Sequence, residues 1–236
     1  MRLQEFQISD AIQFHEELNP ALWQGQHLDR AVRKKLLAIA EDLQEFIGVD
    51  NFDVVDLTMS GSNAAYTYTP HSDIDLHLVV MIPSEHDAEL RELFDAKKYQ
   101  YNDLHDFRIR GYDVEVYVQD AQQPHHSMGI YSVLNDRWIS QPRPQAATID
   151  DASVKNKYEC YRHRIDHIVA QGNLAQSQKL WASIKNMRKT GLAHGGEFGP
   201  ENVAFKLLRA QGDLAQLRQH IQELVNAKFS LGEPHA

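Results

Sequence analysis

Apolar residues recur at Leu28, Val32, Leu36, Leu37, Ile39, Leu43 and Ile47 through HLDRAVRKKLLAIAEDLQEFIG, the spacing of one face of an amphipathic helix. Gly48 supplies a stop, and the first fifty residues as a whole read as helical. The period then changes. FDVVDLTMSGS has the β-branched and apolar character of a strand that ends in a tight Gly-Ser turn. SDIDLHLVVMI alternates at first and is then apolar throughout, as a central strand should be, and Pro83 closes it. SEHDAELRELFDAKKYQYNDL opens with a capping signature, Ser84 to Asp87, and continues as an amphipathic helix. DFRIRGYDVEVYVQD alternates again, with Gly111 as a bulge or bend and Val114, Val116 and Val118 facing one way.

GIYSVLNDRWIS reads as a hairpin around Asn135-Asp136, and the Pro-rich QPRPQ at 141–145 as a linker. Beyond it the pattern is helical, punctuated by Gly172, Gly191 and Gly212. The prediction is an α/β (α+β) chain: a mixed-sheet domain over residues 1–145, then a helical C-terminal domain over 146–236.

Composition narrows the function classes. No run of about 18 apolar residues exists, so no membrane-spanning helix is expected, and the acidic N-terminus lacks the apolar stretch of a secretory signal. Cys160 is the single cysteine, which excludes an intrachain disulfide and a paired-cysteine zinc site; a cytoplasmic protein is the expectation. The net charge of −9 argues against a protein that coats nucleic acid. That charge is uneven. Residues 1–150 hold twelve Lys and Arg against 25 Asp and Glu, whereas 151–236 hold twelve against eight. A metal-binding part followed by a part that meets phosphate fits this division, as does chance unevenness between two surfaces.

The candidate chemistry lies in Met59-Ser60-Gly61-Ser62, a ten-residue spacer, and Asp73-Ile74-Asp75-Leu76-His77-Leu78. Strand alternation puts Asp73 and Asp75 on one side and Ile74, Leu76 and Leu78 on the other. Two carboxylates at the mouth of an apolar strand repel each other, and a divalent cation removes that cost. Magnesium suits them, because it prefers hard oxygen ligands and keeps waters for substrate phosphates to displace; manganese is a possible substitute. The glycine turn lets backbone amides approach a ligand, so Gly61 and Ser62 are candidate phosphate contacts. A third acid should come from DVEVYV. Glu115 lies within the strand between two valines and is preferred; Asp113, at the strand mouth on the same face, is the alternative.

Gly61-Ser62, Asp73-Ile74-Asp75 and Glu115 in this order resemble the nucleotidyltransferase superfamily of the polymerase-beta type. Its signature is Gly-Ser, a spacer, Asp-hydrophobic-Asp and an acid on a later strand. The resemblance covers roughly residues 20–140. SGSNAAYTYTPHSDIDLH, DVEVYVQD and GEFGPENVAFKLLR are similar to small standalone members from phage and bacterial genomes. It implies that Asp73 and Asp75 coordinate two metal ions and that the third acid binds the ion activating an attacking hydroxyl. The implied reaction moves a nucleoside monophosphate from a nucleoside triphosphate such as ATP to a hydroxyl of RNA, protein, a nucleotide or a small molecule. A non-catalytic nucleotide- or partner-binding module on the same fold, as in the regulatory half of a two-protein system, is the rival reading.

Weaker signals surround this core. His77 reads as a hydrogen-bonded histidine rather than a ligand, His125-His126 as a polar turn, and Tyr66 and Tyr68 as packing residues or base-stacking platforms. Lys185, Arg188 and Lys189 fall at i, i+3 and i+4 of a predicted helix and form a basic face for triphosphate or an RNA acceptor, or a solvated face.

Overall fold

A computed structural model describes residues 7–48, 53–82, 87–123, 127–144 and 146–231. Pro83, Ser84 and the His125-His126 pair lie outside them. Contacts divide the chain into two compact units, Gln13–Gln145 and Ala146–Ala236 together with Met1–Ile12. The fold class is mixed α/β.

The first unit opens with a two-stranded ribbon, β1 (Trp23–Gln24) and β2 (His27–Leu28), where the sequence pattern reads as helix. Burial explains the difference: Leu22, Trp23 and Leu28 enter the core from either side of a turn, and strands of two residues are too short to show a period. Helix α1 (Arg30–Ile47) follows, capped by Asp29, whose carboxylate accepts from the Ala31 and Val32 amides, and it stops at Gly48. It buries Val32, Leu36, Ile39, Leu43 and Ile47, the predicted face.

Six strands form the main sheet, in the order β5-β6-β4-β3-β7-β8. They are β3 (Asp53–Ser60), β4 (Ile74–Met81), β5 (Arg108–Ile109), β6 (Tyr112–Asp120), β7 (Ile130–Ser132) and β8 (Arg137–Ser140). β4 runs antiparallel to β3 and parallel to β6, so helix α2 (Asp87–Leu104) carries the crossover. DFRIRGYDVEVYVQD is two strands rather than one bent strand. Ile109 pairs with Tyr112 across Arg110-Gly111, and both turn residues have positive φ, 54° and 91°. That is the two-residue hairpin geometry whose twist matches its strands.

One face of this sheet is apolar. Leu57, Met59, Ile74, Leu76, Leu78, Val114 and Val116 join α1 and α2 residues in a single core. On α2, the Asn102 side chain donates to the Val116 carbonyl and accepts from its amide, closing the edge of β6. The alternate positions of the same strands face away from this core, and they carry the polar chemistry.

The second unit contains α3 (Asp151–Gln171), α4 (Leu174–Gly195), α5 (Pro200–Ala210) and α6 (Asp213–Phe229). α5 packs on the other three and buries Val203, Ala204, Leu207 and Leu208 completely.

Candidate active site

Register alone brings the predicted acids together. Asp75 stands opposite Glu115 in parallel β6 and opposite Ser60 in antiparallel β3. Partners in register point to the same face of a sheet, and Asp73, two residues before Asp75, shares it. One carboxylate oxygen from each of Asp73, Asp75 and Glu115 lies within 4.8 Å of the others. Asp73 and Asp75 are half-buried. Asp113 is not part of the group: it is exposed, and Arg108 Nε donates to its carboxylate at 2.6 Å.

The Gly-Ser turn is built against this cluster. Gly61 has φ 79° and ψ −166°, and a Cβ there would lie 1.9 Å from Asp75 Oδ2. Close approach and backbone conformation therefore both demand glycine. The Ser62 hydroxyl is engaged inside the loop, 2.7 Å from the Ser72 hydroxyl, which in turn accepts from the Thr69 amide at 2.9 Å.

Asn63 carries a role that the sequence did not disclose. It is fully buried, and its Nδ2 donates to the Asp73 carbonyl at 2.9 Å. Its Oδ1 accepts from Asn19 Nδ2 at 2.8 Å, and its carbonyl from Trp23 Nε1 at 2.7 Å. Asn63 thus fixes the first acid to the glycine turn and to the N-terminal ribbon. Its partners lie ten to 44 residues away, so no local motif announces it.

Tyr117 is a second residue that sequence reasoning missed. Its ionisation is pushed far upward by burial first, then by the negative charges of Asp75, Glu115 and Asp73. It stays a neutral hydroxyl beside the acids. The His77 ring stacks on it at 4.8 Å between centroids, and His77 Nε2 is hydrogen-bonded to Ser60 Oγ at 3.0 Å. His77 is therefore a hydrogen-bonded residue of the site wall. The spacer tyrosines are also occupied within the fold: Tyr66 is buried and accepts from Gln26, while Tyr68 stacks on His15 with ring centroids 3.8 Å apart.

Lys185, Arg188 and Lys189 all lie on α4 of the helical unit. Lys185 and Lys189 are exposed, with the Lys185 ammonium 5.6 Å from the Trp181 ring centroid. Arg188 is half-buried and its guanidinium covers Phe205 at 4.5 Å. The predicted basic face thus presents two lysines, with the arginine applied to packing.

Chemically, the cluster is an all-oxygen, anionic donor set. Among the described residues, no cysteine or histidine belongs to it. Such donors fit a hard divalent ion of the magnesium or manganese kind rather than zinc or copper. No family model, curated protein or solved structure matches the chain.

Proposed function

We propose that the protein is a magnesium-dependent nucleotidyltransferase that moves a nucleoside monophosphate from a nucleoside triphosphate to a hydroxyl acceptor. The observation that carries this reading is the convergence of Asp73, Asp75 and Glu115 within 4.8 Å, beside a glycine turn packed against Asp75. The resemblance of the motif order, carried by the same residues, agrees with it.

In the reaction the acceptor hydroxyl oxygen forms a bond to the α-phosphorus. The bond from that phosphorus to the bridging oxygen breaks, pyrophosphate leaves, and the hydroxyl proton passes to water. Asp73, Asp75 and Glu115 would hold the magnesium ions, whose positive charge, when bound, offsets that of the phosphates and favours the ionised acceptor. The chain's own residues hold this constellation in place. Asn63 anchors the backbone of Asp73, and Gly61 leaves room for the Asp75 carboxylate. Preorganisation of this kind matters because misplaced groups lose much of the rate advantage of positioning.

The test is incubation with each α-labelled triphosphate, magnesium and total cellular RNA or protein, followed by a gel. The expected outcome is magnesium-dependent label in a defined band, reduced more than about 100-fold by Asp73→Asn or Asp75→Asn, a larger effect than removal of an outer-sphere partner. No labelled product from any triphosphate, with nucleotide binding intact, would favour a non-catalytic binding module.

A further inference from the structure

On the opposite face of the sheet from the acids, α1 and the β5–β6 hairpin line an open cavity of about 620 Å³. Val32 and Ile39, which line it, belong to the same core as Leu76 and Val116, whereas Asp75 and Glu115 alternate away from that core. The cavity is therefore separate from the proposed catalytic cluster. Ala31 and Ala38 give it a low wall along the helix, and Phe107 and Ile109 an apolar wall along the hairpin. Lys35 and Arg110 stand at its lining.

Its lining carries three cations, Lys35, Arg108 and Arg110, against one carboxylate, Asp42. Lys35 is exposed and makes no ion pair or hydrogen bond among the described residues. Three of the nearby carboxylates, Asp29, Asp42 and Asp113, have partners, while Asp106 adds a negative charge near Arg108. Asp29 accepts from two amides at the start of α1 and meets Arg110 only at 3.8 Å. Asp42 accepts from the Tyr101 hydroxyl at 2.6 Å, and Asp113 holds Arg108 at 2.6 Å. The exposed Arg108–Asp113 pair and the long Arg110–Asp29 contact are weak and are readily exchanged for a more highly charged partner.

A second, independent observation is the backbone of Arg110. With φ 54° it occupies the left-handed region, at a hairpin position where glycine or asparagine sits with less strain. Backbone strain of this sort persists where the side chain has a use, and here the arginine side chain lines the cavity.

We infer that this cavity is a second ligand site, for a small organic phosphate of nucleotide size. Its volume lies within the range of small-molecule sites. The ligand's flat or apolar body packs against Ala31, Ala38, Phe107 and Ile109, and its phosphate is met by Lys35 and by the planar donors of Arg110. Binding needs no divalent ion, so the site stands or falls independently of the catalytic reading.

The experiment is a fluorescence titration with trinitrophenyl-ADP in EDTA. The expected result is saturable binding that Lys35→Ala and Arg110→Gly each weaken about tenfold, the loss of one charge-assisted contact. The Asp73→Asn/Asp75→Asn double variant should bind as the wild type does. Arg110→Gly relieves the backbone, so its Tm should equal or exceed that of the wild type, which separates lost binding from lost folding. Absence of saturable binding in EDTA, or equal binding by both cavity variants and the wild type, overturns the proposal. So does a single-stranded oligonucleotide that displaces the probe at lower concentration than ADP through the same two residues, which would make the groove a nucleic-acid surface.

Discussion

Gly61 meets two demands at once: a backbone conformation with φ 79° and ψ −166°, and the Asp75 carboxylate where a Cβ would stand. Gly61→Ala should destabilise the fold by about 1–3 kcal/mol from the backbone alone. It should also displace Asp75 and lower divalent-ion affinity, measured by calorimetric titration. Asp75→Asn is the informative counterpart. Removing one of three converging carboxylates relieves repulsion in metal-free protein, so its Tm in EDTA should hold or rise while ion binding is lost. A large fall in Tm in EDTA would mark Asp75 as structural instead. Gly61, Asp73, Asp75 and Glu115 were legible in the sequence, because their significance lies in short spacings and strand parity. Asn63 and Tyr117 were not. An asparagine and a tyrosine acquire their roles only through what they meet in the fold, the Asp73 carbonyl for one and the charge of the three acids for the other.

At the scale of elements, long periodic segments were readable and short ones were not. α1 and β4 follow their apolar patterns, since eighteen helical residues and eight strand residues repeat the period enough times to be unambiguous. The β1–β2 ribbon has two residues per strand and no period to read. The β5–β6 turn uses Arg-Gly in place of the usual Asn-Gly, which conceals a hairpin as a bend. In the helical unit, α6 begins with a buried carboxylate, Asp213, whose Oδ2 has no hydrogen-bond partner among the described residues. Burial pushes its pKa up; Tyr158 hydrogen-bonds it, and the tyrosine, itself raised to about 12 chiefly by burial, remains a donor throughout. The folded state thus binds a proton at Asp213 more readily than the unfolded chain does. Its contribution to stability is greatest below the ordinary carboxylate range and is lost as pH rises through the folded-state value. Asp213→Asn removes that loss. In denaturant titrations from about pH 4 to 7, the variant should gain on the wild type as pH rises, and parallel curves would show that Asp213 does not titrate in this way.

For the whole molecule, the sequence conveyed a mixed-sheet part followed by helices, and the contacts define units Gln13–Gln145 and Ala146–Ala236 with Met1–Ile12. The return of the N-terminal segment to the helical unit had no local signal, because it depends on contacts such as Gln211 donating to Asp10 across 201 residues. The central claim is that the three acids serve transfer of a nucleoside monophosphate. Its most direct test is the identity of the phosphorus product. The purified chain is incubated with unlabelled triphosphates, magnesium and acceptor, and pyrophosphate and orthophosphate are measured in parallel. The expected result is pyrophosphate release that requires magnesium, is abolished by EDTA, and disappears in Asp75→Asn. Orthophosphate in place of pyrophosphate, or pyrophosphate release that survives in Asp75→Asn, would contradict it.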